Sequence, residues 1–207
     1  MHYPLLSDPF GFDAAILANG DFPSASVPLS LLRHAPYVCA CDGAIGAYPQ
    51  ANAAVGDGDS VPDGFRHKLI QIDEQEDNDL TKATRHCISL GHRRIIYLGC
   101  TGRREDHTLG NISLIMRYMR DFQLQPLMAT DHGWFTPAHG LSTFASFPRQ
   151  QVSIFNFGFT QIQSQGLRYP PYPYDEWWQG TLNEAISDTF TLDTNGDYMV
   201  FRTYERK

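Results

Sequence analysis

No apolar run in this 207-residue chain approaches the roughly 20 residues needed to span a bilayer, so no transmembrane helix is expected. The four cysteines, Cys39, Cys41, Cys87 and Cys100, make no CxxC and no paired metal spacing. Cys39 and Cys41 share one face of an expected strand, where geometry disfavours a mutual disulfide. Buried, reduced thiols of a cytoplasmic protein are the reading that remains. Basic charge is also scarce, with 16 Lys and Arg against 23 Asp and Glu. The formal net charge of −7 argues against a nucleic-acid binder with a basic surface. It does not argue against an anionic nucleotide, because a metal inverts the local sign. The N-terminus lacks a basic start and a long apolar centre, so no secretion signal is expected there. Gly43-Ala44-Ile45-Gly46 falls short of a dinucleotide fingerprint, and no HExxH surrounds His107.

What the chain does have is core material: 42% hydrophobic and 13% aromatic residues exclude disorder. Up to about residue 131, short apolar runs alternate with helix-like stretches. Strands are expected at Ala14–Ala18, Tyr37–Cys41, Ala53–Val55, Lys68–Ile72 and Arg94–Leu98. Helices are expected at Leu29–Arg33, Leu80–Leu90 and Thr108–Phe122, the last with Leu109, Ile112, Ile115, Met116 and Met119 on one apolar face. This pattern predicts an α/β domain over 1–132 with a mainly parallel, Rossmann-like sheet. Polar segments that follow the strands would then gather at the sheet's carboxyl edge, where open α/β sheets bind ligands. From 133 to 207 the composition shifts to Gln, Ser, Thr, Phe and Pro without a helical period. A small all-β domain is expected there, with a hairpin at Asn195-Gly196.

Three segments carry chemistry. In Val55-Gly56-Asp57-Gly58-Asp59-Ser60, two carboxylates one residue apart repel each other unless a cation lies between them. Glycines at 56 and 58 allow a sharp turn and leave room for a bulky ligand. A plain Asp-Gly turn is the competing reading. The acidic cluster Asp73–Asp79 runs into a helix with Lys82 one turn in, and a solvated N-cap would explain it equally well. Gly99–His107 joins a strand to a helix, and its glycines, Arg103 and Arg104 suit phosphate, although a flexible turn capped by Asp106 competes. Together the acids, the capped helix and the lysine form a kit for Mg²⁺ and polyphosphate. Tyr169, Trp177 and Trp178 read as core or interface aromatics that could also stack on a cationic ligand.

In order and at plausible spacing, these segments resemble the thiamin pyrophosphokinase family from about Asn19 to the C-terminus. The motifs that match are Asp42-Gly43-Ala44, Gly56–Ser60, Gln75–Lys82, Arg104-Glu105-Asp106-His107 with Asn111, Gly166–Tyr169 and Gly180–Glu184. Asn78 stands where the family often has Thr, Arg103 where it often has Gly, and Leu182 where it often has Ser. The resemblance implies transfer of diphosphate from ATP to thiamin, with AMP released. It implies an α/β catalytic domain, a β-sandwich domain that binds thiamin and dimerises, and a homodimer with sites at the subunit interface. It further implies Mg²⁺ on Asp57, Asp59 and Asp79 with Asp42 nearby, these four being the expected catalytic set. Lys82, Arg104, Asp106, His107 and Asn111 would serve ATP, while Gln75, Asn78, Tyr169, Thr181 and Asn183 would serve thiamin. A metal-dependent nucleotide hydrolase and a non-catalytic thiamin or nucleotide sensor are the alternatives. No nucleic-acid or membrane partner is expected.

Overall fold

The computed structural model describes residues 1–6 and 11–206. The chain divides into two compact units, Asp8–Asp131 and Met1–Ser7 with His132–Lys207. Strand β1 (His2–Tyr3) therefore belongs with the C-terminal unit, whereas the sequence boundary grouped it with the first. The reason is a parallel pairing of β1 with a strand near residue 143, which the sequence separation hides.

The first unit contains β2 (Ala14–Leu17), α1 (Ser26–His34), β3 (Val38–Cys41), β4 (Ala53–Gly56), β5 (Leu69–Gln71), α2 (Asp79–Ser89), β6 (Arg94–Leu98), α3 (Glu105–Phe122) and β7 (Gln125–Ala129). The strands pair in parallel in the order β5-β4-β3-β2-β6-β7. β2, β3 and β4 are buried throughout, as continuous apolar runs covered on both faces should be. From β2 the chain winds outward to β5, then returns to the far side of β2 for β6. The winding direction thus reverses between β2 and β6, and a crevice is expected outside their carboxyl ends.

Helix boundaries moved where capping decides. Asn78, not Asp79, caps α2, its side chain accepting the Thr81 N–H at 2.9 Å. Asp79 is therefore the first helical residue, with its carboxylate released from capping. Helix α3 begins at Glu105, so Asp106 and His107 lie in its first turn, not in the preceding loop. Its buried residues are Ile115, Met116 and Tyr118, whereas Leu109 of the expected apolar face is 56% exposed.

The second unit adds β8 (Gly133–His139), β9 (Ser142–Ala145), β10 (Gln150–Asn156), β11 (Ile162–Gln165), β12 (Asn183–Glu184), β13 (Thr189–Thr194) and β14 (Asp197–Arg206). One set of strands runs β12-β10-β14-β8, all antiparallel. The other runs β1-β9-β13-β11, antiparallel except for β1, so pairing in the chain as a whole is mixed. Phe144, Phe190 and Leu192 from one set share a buried core with Val152, Ile154, Tyr198 and Val200 from the other. Asn195-Gly196 does not close a hairpin: β13 and β14 belong to different sheets, and the turn carries the chain between them. Asn195 Oδ1 fixes that crossing by accepting the N–H groups of Thr160 and Gln161 at 2.8 and 2.9 Å.

Among the described residues, no helix is long and apolar enough to cross a membrane. All four cysteines are buried and free.

Candidate functional site

A cleft of about 320 Å³ opens at the carboxyl ends of β2, β3 and β6, where the winding reverses. Its walls are Ala18–Gly20 after β2, Cys41 and Asp42 after β3, Ser60 after β4, the start of α2 at Asn78–Leu80, and the β6–α3 connection. The two loops at the switch point hold each other by backbone. Gly20 N–H donates to Gly99 O and Asp21 N–H to Thr101 O, both at 2.8 Å. A Cβ at Gly20 would stand 2.4 Å from each of those two carbonyls, so the approach requires glycine.

Asp42 is buried, with φ 41, a left-handed turn directly after β3. That turn aims its carboxylate at the loop after β4, where it accepts the Gly58 and Ser60 N–H groups at 3.1 and 2.9 Å. In that loop Asp57 is half-buried and accepts the Asp59 N–H at 3.1 Å, an Asx turn, while Asp59 is exposed. Neither Asp57 nor Asp59 lines the cleft itself.

Asp79 does line it. Burial raises its carboxyl above the usual range; Lys82, 3.6 Å away, opposes this, and the charges of Asp42 and Asp57 push in the same direction as burial. Lys82 is itself almost wholly buried behind Asp79 and does not line the cleft. The loop before α2 is clamped by Asp77, which pairs with Arg85 at 2.5 Å and Arg117 at 3.2 Å, while Glu74 meets Arg85 at 3.0 Å. Gln75 is exposed in that loop, outside the cleft, with its side chain on Asp73 O at 3.3 Å.

Across the cleft, Arg104, His107 and Asn111 project from the start of α3. Arg104 forks onto Asp106 at 3.0 and 2.5 Å, and that hydrogen bond lowers Asp106 and raises Arg104. Asn111 Nδ2 donates to Cys100 O at 2.8 Å, tying the loop to the helix. Burial raises the Cys41 thiol and raises Cys100 to about 12, so both line the cleft as neutral, soft groups. Among the described residues, no three His, Cys, Asp or Glu side chains converge closely enough to hold a metal ion.

The second unit carries its own cleft of about 430 Å³, lined by Arg149, Gln151, Arg168, Tyr169, Leu182, Asn183 and Glu184. Asn183 is buried, and its amide is committed to backbone. Oδ1 accepts the Tyr169 and Glu184 N–H groups at 3.2 and 2.8 Å, and Nδ2 donates to Tyr169 O at 2.7 Å. It therefore holds Tyr169, whose ring is exposed with the Arg168 guanidinium 5.9 Å from its centroid. Leu182 is 66% exposed at φ 62. Thr181 is exposed outside this cleft, its hydroxyl on Trp178 O at 2.7 Å.

The first unit thus gathers Asp42, Asn78, Asp79, Arg104, His107 and Asn111 around one cleft, and the second gathers Tyr169 and Asn183 around another. Sequence reasoning missed Asn19, Gly20, Ser60 and the two cysteines. Asn19-Gly20-Asp21 directly follows the first strand of the α/β pattern, and that place is the signal that could have found it.

Two family models match the chain: thiamin pyrophosphokinase, catalytic domain, over residues 29–126, and thiamin pyrophosphokinase, substrate-binding domain, over residues 133–201. No curated protein matches the chain by sequence. Among solved structures, the thiamin pyrophosphokinase from Candida albicans is 15% identical with a TM-score of 0.78, covering 99% of this chain and 93% of that one. The yeast thiamin pyrophosphokinase is 12% identical with a TM-score of 0.78, covering 98% and 90%. The Bacillus subtilis thiamine pyrophosphokinase is 18% identical with a TM-score of 0.75, covering 92% and 98%. At these identities the structures establish likeness of fold.

Proposed function

The chain belongs to the thiamin pyrophosphokinase family, and on that premise we propose that it transfers diphosphate from ATP to the thiamin hydroxyl, giving thiamin diphosphate and AMP. The observation that carries this reading is the cleft at the β2/β6 reversal, lined by Asp42 and Asp79 and by Arg103 and Arg104 at a helix start. Anions are favoured at helix N-termini, and arginine forks match phosphate oxygens.

Such transfer needs positioning and charge neutralisation more than covalent chemistry by the protein. Arg104, His107 and the first turn of α3 would receive the triphosphate, with Arg104 exchanging Asp106 for phosphate. Lys82 would act through Asp79, holding its carboxylate in place. Asn111 would keep the Cys100 loop against α3.

Mg²⁺ suits the donors present. It keeps several waters and is held partly by substrate phosphates, so the carboxylates that serve it need not all contact it directly. The charges of Asp42 and Asp57 that push Asp79 up are an excess that a hard cation would relieve. Asp57, Asp59 and Asp79 would hold it, and it would supply charge neutralisation on the phosphates. Each oxygen of Asp42 accepts one backbone N–H group, and through these bonds it would set the 57–60 loop.

The acceptor pocket would use Gln75 and Asn78 from the first unit, together with the second unit's Tyr169, Thr181 and Asn183 from another copy of the chain. This makes the working form a homodimer. Asn183 would act through Tyr169, whose exposed ring suits a cationic thiazolium.

Incubating the protein with ATP, Mg²⁺ and thiamin and separating the products tests the assignment. Stoichiometric AMP and thiamin diphosphate are expected. AMP released without thiamin would indicate a hydrolase, and tight binding without turnover would indicate a sensor.

A further inference from the structure

The acids on the first-unit cleft, Asp42 and Asp79, require that an entering polyphosphate be met by uncompensated positive charge. The basic side chains near it differ in what already neutralises them. Lys82 is buried 3.6 Å from Asp79. Arg104 forks onto Asp106. Arg103 also lines the cleft, and among the described residues no carboxylate pairs with it. Its Nη1 instead donates to the backbone and side-chain oxygens of Asn19, both at 2.9 Å. Those acceptors are neutral, so they orient the guanidinium and leave its charge intact. Nε and Nη2 bond nothing among the described residues, leaving one edge of the fork open.

The backbone adds a second observation. Arg103 has φ 57, directly after Gly102 at φ 78, in a region that L side chains avoid. It stands where the family pattern often has glycine, which would adopt this conformation freely. A long charged side chain thus occupies a strained position, tied to the β2 loop by Asn19.

We propose that Arg103 is a phosphate-binding residue, presenting the open edge of its guanidinium to the polyphosphate of the nucleotide. The inference rests on reading the cleft as the ATP site. Arginine suits the role because two parallel N–H donors match two phosphate oxygens, which a lysine ammonium cannot do.

The test is Arg103→Gly in the full chain, a change that removes the guanidinium and relieves the backbone, so folding is preserved or improved. Calorimetric titration with ATP and Mg²⁺ is expected to show affinity weakened about tenfold. The KM for ATP should rise by a similar factor while the KM for thiamin stays constant, and Arg103→Lys should recover only part of the loss. Unchanged ATP affinity in Arg103→Gly, with a wild type that binds and turns over ATP, overturns this inference alone. A wild-type chain that binds no ATP overturns the reading of the cleft, and this inference with it.

Discussion

The Asp42 carboxylate accepts the Ser60 backbone N–H at 2.9 Å, and its second oxygen accepts that of Gly58 at 3.1 Å. One buried acid after β3 thereby sets the loop after β4, which carries Asp57 and Asp59. Gly56 is what lets the two approach, since a Cβ there would stand 2.8 Å from Asp42 Cβ. Asp42→Ala leaves both N–H groups without an acceptor, and a loss of about 1–3 kcal/mol is expected. Asp42→Asn keeps one acceptor oxygen and should cost less. Urea unfolding and turnover should fall together across the pair. A loss of turnover at unchanged stability would instead give Asp42 a direct part in the chemistry.

Asp57 and Asp79 separate charge repulsion from charge pairing. Asp57→Asn removes a charge that pushes Asp79 up, so stability should hold or rise by less than about 1 kcal/mol. If Asp57 holds Mg²⁺ as proposed, turnover should nevertheless drop at least ~10²-fold, because such a carboxylate would act mainly on the transition state. Asp59→Asn, at an exposed position, should behave likewise. Asp79→Asn leaves buried Lys82 without its carboxylate, and a stability loss of about 1–2 kcal/mol is expected, moderated by the partial exposure of Asp79. Chemical denaturation beside Mg²⁺-saturated turnover distinguishes the two patterns. Equal stability losses in Asp57→Asn and Asp79→Asn would contradict this arrangement.

Local pattern revealed most of the first unit, and the rest was hidden for identifiable reasons. β2, β3, β4 and β6 are short apolar runs ended by Gly, Asn or Asp, and their carboxyl ends placed Asp42 and Gly99–Arg104 on one edge. Asn78 and Asp79 are both good caps, so the sequence leaves the cap of α2 open, and only the Thr81 hydrogen bond decides between them. Asn195-Gly196 has hairpin composition, yet Asn195 is recruited by Thr160 and Gln161, a contact more than thirty residues away in sequence. β1 is two residues long and exists only through its pairing with β9, so no periodicity could reveal it. In the site, residue types were legible and side-chain partners were not. Nothing in the sequence says that Arg104 rests on Asp106 while Arg103 rests on Asn19.

His86 makes the first unit's stability depend on pH. Its Nε2 lies 2.8 Å from the Tyr37 hydroxyl, and the His92 ring sits 5.2 Å from the same tyrosine. Burial, and secondarily the charge of His92, lower His86 below its usual 6.5. Below that value the unfolded chain takes up a proton that the folded chain refuses. The contribution is therefore complete above 6.5 and is lost as pH falls through the lowered folded value. His86→Gln should flatten this limb. Melting temperatures at about pH 7.5 and about pH 5.5 give the check, with a smaller difference expected in the variant.

Arg202 is the least conventional member of the second unit's core. It is 1% exposed, and among the described residues no carboxylate pairs with it. Its guanidinium donates to Ala145 O at 2.7 Å, Tyr3 O at 3.4 Å and the Thr136 hydroxyl at 3.4 Å, and lies 4.7 Å from the Trp134 ring centroid. One side chain therefore links β14 to β1, to the end of β9 and to β8. Burial pulls its pKa down to about 9, so it stays charged at neutral pH and carries a desolvation cost. Arg202→Met removes that cost and keeps volume, but it frees carbonyls, so a net change within about 1–2 kcal/mol is expected. Arg202→Lys keeps the charge and loses both the fork and the flat face over Trp134, so a loss of about 2–4 kcal/mol is expected. Lysine being worse than methionine is the distinguishing result in equilibrium unfolding. The reverse order would mean that positive charge itself, and not planar hydrogen bonding, holds these strands together.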